Sequence, residues 1–156
     1  FINYEGKEVR VNALRRIMNK FPAVKFTEGQ VDAFGSMQSF GVPIKDLPAY
    51  IDAKADERKK MDEASKGIPM DTLNNNDELS FWVNFIRVEG HIWMTDKNKE
   101  GGPQIDPMRV ALKADGNAPY KKIDAVVAIF KKQEVFQFNL ITDLEADPNM
   151  PAPAGH

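Results

Sequence analysis

The sequence predicts an α+β or α/β fold, a small mixed sheet with helices mainly on one face. Three observations carry that expectation. Residues 110–140 switch between strand and helix periods, a short turn-and-helix pattern opens the chain, and the middle is a long stretch of helical composition. Together they predict a single domain over residues 1–147 with a long helical insertion from roughly 21 to 107. The tail 148–156, PNMPAPAGH, lacks the apolar content to fold and is expected to be disordered.

At the start, Asn3-Tyr4-Glu5-Gly6-Lys7-Glu8-Val9 reads as a β-turn leading into a strand. Asn12 is positioned to cap a following helix whose apolar residues are Leu14, Ile17 and Met18. Further on, Phe34-Gly35-Ser36-Met37-Gln38-Ser39-Phe40-Gly41 sets apolar residues three apart between glycines. Two readings stand: a partner-binding loop, or side chains packed on the domain's own core, the commoner case.

Asp46 can cap a helix beginning near Leu47, with Pro48 tolerated in the first turn. From Ala53 to Lys66 the chain is rich in Ala, Glu, Lys and Arg, so it is helical by propensity. Gly67 and Pro69 end it, and Asn74-Asn75-Asn76 makes a turn. Leu79, Trp82, Val83 and Ile86 fit a helix, while Phe81, Val83 and Phe85 fit a strand. Asp77, as a cap, favours the helix. Ile92-Trp93-Met94 is an apolar island ahead of the loop from Lys97 to Pro103.

The C-terminal third is the most informative. Val110, Leu112 and Ala114 alternate with Ala111 and Lys113, the period of a half-buried strand. Asp115-Gly116-Asn117 supplies turn chemistry, and Pro119 suits a first helical position because it needs no donor there. Ile123, Val126, Val127 and Phe130 form one helical stripe, with Lys131 and Lys132 favouring its negative end. Phe136, Phe138 and Leu140 alternate again, closing a β-α-β unit whose crossover is expected to be right-handed.

This ordered set resembles the periplasmic domain of the ExbD/TolR family of biopolymer-transport proteins. Members carry a strand ending in Lys or Arg, Ala and Asp, a loop with Pro-Tyr, then a helix and a strand ending in Thr. In this chain those positions read Lys113-Ala114-Asp115, Pro119-Tyr120 and Asn139-Leu140-Ile141-Thr142. The N-terminal Gly-containing turn and Asn12 are similar to the family's opening hairpin and capped helix.

The resemblance implies an accessory subunit of an inner-membrane, proton-driven motor that energises TonB-dependent outer-membrane transport. Its implied partners are an ExbB/TolQ-like membrane protein and a TonB/TolA-like periplasmic protein, and the full-length form is expected to be a homodimer. It implies a single-pass inner-membrane protein with this domain in the periplasm. The transmembrane helix, which in the family bears an Asp used in proton passage, would precede Phe1, so the chain is expected to be an excised or processed fragment. A TolR-like role in envelope maintenance and a non-enzymatic periplasmic binding module are the alternatives. An open sheet edge over Gln137, Phe138, Asn139, Leu140, Ile141, Thr142 and Asp143 is the candidate surface for an extended partner. Polar Gln137, Asn139 and Thr142 would keep it soluble, while apolar Phe138, Leu140 and Ile141 suit a strand paired on both sides.

Composition narrows the alternatives. With 156 residues, 42% hydrophobic and 28% charged, the chain can bury about two-thirds of its unfolded surface, enough for a self-sufficient core. A net charge of −2 argues against a nucleic-acid surface, and no stretch approaches the ~20 apolar residues of a membrane helix. Zero cysteines exclude disulfides, Cys-based zinc sites and thiol catalysis. Asp115 reads as a turn residue rather than a proton carrier. Asp143, Glu145 and Asp147 alternate on one strand face with no further metal ligands nearby, and His91 and His156 are the only histidines. No catalytic constellation emerges, so neither an enzyme nor a cofactor is expected.

Overall fold

In the computed structural model of this chain the described residues are 2–4, 6–70, 77–101, 104, 110–115, 119–135 and 138–143. They form a helix-rich α+β architecture. The chain divides into two compact units, Phe1–Met108 and Arg109–His156. Among the described residues the strands form two two-stranded sheets, one antiparallel and one parallel.

The first unit opens with β1 (Ile2–Asn3) and then α1 (Lys7–Lys20). The strand expected to follow the Asn3–Val9 turn is instead helix. Gly6 turns the chain at φ +92°, a conformation open to glycine, and helix begins at the next residue. Val9, Ala13, Leu14 and Ile17 then bury as one stripe. That stripe needs Val9 in the helix, so Asn12 lies in the helix interior, exposed, rather than at its cap.

α2 (Glu28–Gly35) starts at a reciprocal cap. The Thr27 hydroxyl accepts from the Gln30 N–H at 3.2 Å, and the Gln30 side chain accepts from the Thr27 N–H at 2.9 Å. Where α2 ends it closes on α1: a Cβ at Gly35 would lie 2.8 Å from Val11 Cγ2. β2 (Ser39–Phe40) follows and pairs antiparallel with β1, Ile2 opposite Phe40.

α3 (Leu47–Asp52) and α4 (Ala55–Ala64) are separate helices, broken where Ala53 turns extended. Asp46 stands at the N-terminus of α3, but its side chain makes no capping bond there. α5 (Glu78–Lys99) is the long element: Asp77 caps it by accepting from the Ser80 N–H at 3.1 Å, and it continues through Ile92-Trp93-Met94. The core of this unit gathers on Trp82, which is fully buried with Phe34 at 5.8 Å and Phe40 at 4.7 Å between ring centroids. Leu14, Ile17 and Leu47 are among the side chains packed into it, each contributing about 1.5–3 kcal/mol through burial. The apolar side chains of the Phe34–Gly41 segment therefore pack on the core, with Phe34 and Phe40 buried and meeting edge to face and Met37 half-buried against the cluster, while Ser36, Gln38 and Ser39 are exposed.

In the second unit β3 (Val110–Asp115) pairs in parallel with β4 (Phe138–Asp143), and α6 (Tyr120–Lys132) lies between them in sequence. α6 buries Ile129 and Phe130 and half-buries Ile123, Val126 and Val127. Its end is a Schellman turn: the Val135 N–H donates to Phe130 O at 2.9 Å and the Glu134 N–H to Lys131 O at 3.1 Å. Glu134 occupies the left-handed position at φ 58°, where glycine is usual, and buried Val135 closes the turn.

Candidate functional site

Backbone register brings the residues of the C-terminal motif together. Ala111 of β3 stands opposite Asn139 of β4, Lys113 opposite Ile141, Ala114 opposite Thr142 and Asp115 opposite Asp143. The Lys113-Ala114-Asp115 triplet and Thr142 therefore lie side by side at the C-terminal ends of two parallel strands. Pro119 is the N-cap of α6, and its carbonyl accepts from the Lys122 N–H at 2.8 Å. Tyr120, the first helical residue, is 76% exposed. Exposed Lys121, Lys122, Lys131 and Lys132 make the helix surface basic, interrupted by Asp124.

Of the expected edge, Phe138 to Asp143 forms β4, while Gln137 lies outside the described residues. So do Gly116, Asn117, Glu145, Asp147, His156 and the tail 148–156. Among the described residues β4 has β3 as its one strand partner. A two-stranded ladder does not itself pair the outer N–H and C=O groups of each strand.

The first unit offers ionisable groups of another kind. On α5, Glu78, Trp82, Ile86 and Glu89 fall on one buried face. Glu78 accepts from the Ile44 N–H at 2.7 Å, and burial raises its carboxyl above the ordinary range, with Asp46 adding to the rise and Ile44 and Lys45 opposing it. Glu89 is paired with Arg16 of α1. Both acids went unnoticed in the sequence, although their spacing of four before and seven after Trp82 puts them in phase with an apolar stripe. Arg10 donates to the Tyr4 carbonyl through Nε at 2.8 Å and also through Nη2, and to Gly35 O at 3.3 Å. This ties the N-terminal segment to the helices. The Tyr4 phenol is raised by burial.

These groups fasten the N-terminal segment and the helices of the first unit to one another. No group of three or more metal-ligating side chains occurs among the described residues, and His91 is an exposed α5 residue whose carbonyl accepts from the Thr95 hydroxyl at 2.8 Å. No helix among the described residues is long and apolar enough to cross a membrane. Set against models of known families, curated proteins and solved structures, the chain matches none.

Proposed function

We propose that this chain is the periplasmic part of an ExbD-like accessory subunit, in which β3, α6 and β4 form a β-α-β docking unit for an extended segment of a TonB-like protein. The observation that carries the reading is the parallel register of β3 and β4, which sets Ala114 of the Lys-Ala-Asp triplet opposite Thr142 of the second motif strand. Residues that resemble the family in sequence are thereby neighbours across one ladder, at the end where Pro119 and Tyr120 are separated from Asp115 by three residues.

The role is mechanical rather than catalytic. Moving one charge through a membrane potential releases about 2.3 kcal/mol per 100 mV, and a domain outside the bilayer does not collect that energy itself. It docks, gates or transmits. The partner would add as a strand along β4, Phe138 to Asp143, its backbone groups pairing with the outer edge. A non-enzymatic binding module outside this family is the second reading, favoured by the first unit's own core around Trp82.

Amide-shift mapping with a peptide from the periplasmic linker of a TonB-like protein tests the docking. Shifts concentrated on β4 are expected; shifts confined to the first unit, or none at millimolar peptide, would sink the reading. An upstream coding segment for an apolar helix with a central Asp, beside a gene for a multi-helix membrane protein, separates the motor subunit from the plain binding module.

A further inference from the structure

The helix α4 is built unlike its neighbours. None of its ten residues is buried, and Met61 and Asp62 alone are half-buried beside Arg58. Its inward apolar contribution is Met61, which packs against the core cluster. What holds it is polar. Arg58 donates from Nε to Tyr50 O and from Nη2 to Ile51 O, both at 3.0 Å, and its guanidinium lies 5.9 Å from the centroid of the Tyr50 ring. Those carbonyls belong to the last turn of α3, which has no further helical N–H to receive. Tyr50 in turn donates its hydroxyl to Asp62 Oδ2 at 3.1 Å, and just beyond the helix Ser65 donates to Gly41 O at 3.4 Å.

We propose that α4 is a clasp, a helix that unlatches from α3 as a unit while the rest of Phe1–Met108 stays folded. Its helical backbone bonds are internal, so release breaks a few side-chain ties and uncovers little apolar surface beyond Met61 and the part of the Tyr50 ring under Arg58. By contrast, α1 and α5 bury Leu14, Ile17, Trp82 and Ile86, and cannot part without opening the core. Opening energies within one fold follow such differences in buried apolar contact. Arg58 is the latch, because one side chain satisfies two α3 carbonyls that nothing on α4 itself needs. Release would also free the second Asp62 oxygen, Oδ1, which in the closed position is buried without a hydrogen-bond partner. An orphaned carboxylate oxygen biases the clasp toward opening. The face so uncovered carries the Tyr50 and Ile51 carbonyls, the Tyr50 hydroxyl and the part of its ring under Arg58, and Gly41 O. The clasp is therefore a device for presenting or hiding that face.

Native-state hydrogen exchange on the full chain tests this. Amides of α4 should exchange at least on the order of tenfold faster than those of α1 and α5, relative to their unfolded rates. Arg58→Ala should accelerate α4 by about a further tenfold, the loss of two charge-assisted bonds at a half-exposed site, and leave α1 and α5 unchanged. Equal protection across the three helices would overturn the proposal, as would an Arg58→Ala effect spread evenly over them or absent from α4. Because the chain has no cysteine, Met61→Cys provides a second readout that does not depend on the latch variant. Its thiol should label at a rate set by α4 opening, independent of denaturant at low concentration. Labelling only through global unfolding would count against the clasp.

Discussion

Arg16 of α1 and Glu89 of α5 form an ion pair in which the two ends are unequally covered: the Glu89 side chain is 8% exposed and that of Arg16 42%. The desolvated partner is the acid. Removing the arginine therefore strands a buried carboxylate, whereas neutralising the acid leaves a solvated cation beside an amide.

From that asymmetry Arg16→Ala is expected to destabilise the first unit by about 2–3 kcal/mol, and Glu89→Gln by about 1 kcal/mol. The double variant should recover part of the larger loss. Urea unfolding of all three variants measures this. Equal single-variant losses would mean that the buried carboxylate is not what sets the cost.

Glu78 gives a pH dependence of opposite sign to that of an ordinary paired acid. Burial raises its folded-state value above the unfolded one, so its contribution is fully present below the ordinary carboxylate range and is lost as pH rises through the raised value. Glu78→Gln keeps an acceptor for the Ile44 N–H without an ionisable group. The variant should therefore gain on the native chain as pH increases through that window, with the gain levelling off above it. Melts taken at intervals from acid to neutral pH check the trend, and a gain that grows toward acid would refute it.

Two glycines should respond to alanine for different reasons. At Gly35 the added methyl meets Val11 Cγ2 at 2.8 Å and Lys7 Cγ at 3.0 Å. The lysine can swing aside, but the β-branched valine is fixed by the helix, and a loss of about 1–3 kcal/mol follows. At Gly67 nothing lies within 4 Å, yet φ is +87°, so the penalty of about 1–2 kcal/mol is backbone strain alone. Val11→Ala should rescue Gly35→Ala and leave Gly67→Ala unchanged, as thermal melts of the paired variants would reveal.

Glu134 is the converse case, a side chain where glycine fits better. Glu134→Gly relieves about 1–2 kcal/mol of left-handed strain against about 0.5–1 kcal/mol of added chain entropy in the unfolded state. A net gain of roughly 0.5–1 kcal/mol in the second unit is expected. Exchange protection of the α6 amides reports it, and a loss would show that Glu134 makes a contact outweighing its strain.

Much of the helical content was legible because it is local. Asp77 ahead of Leu79, Trp82 and Ile86 announced α5, and Ile123 to Phe130 announced α6 through a single stripe. Thr27 and Gln30 are equally local, a hydroxyl and an amide three residues apart with the spacing of a reciprocal cap. The pairing of Ile2–Asn3 with Ser39–Phe40 was not legible. It spans two residues on each side, and its register is set by how α1 and α2 meet at Gly35 rather than by any alternating pattern. The start of α1 was obscured for a related reason: Lys7-Glu8-Val9 alternates like a strand, and Gly6 alone decides otherwise. At the candidate site the motif residues were visible in the sequence, but their alignment was not. Register between strands more than twenty residues apart depends on the length of the intervening helix and its turns, not on the strands themselves.

The position of Trp82 has a consequence for how this protein is watched. Its two indoles, Trp82 and Trp93, both belong to Phe1–Met108, and Arg109–His156 has none. Intrinsic tryptophan emission is thus a dye confined to one of the two units. A fluorescence melt would trace the loss of the Phe34–Phe40–Trp82 packing, while β3, α6 and β4 carry no indole of their own to report their unfolding.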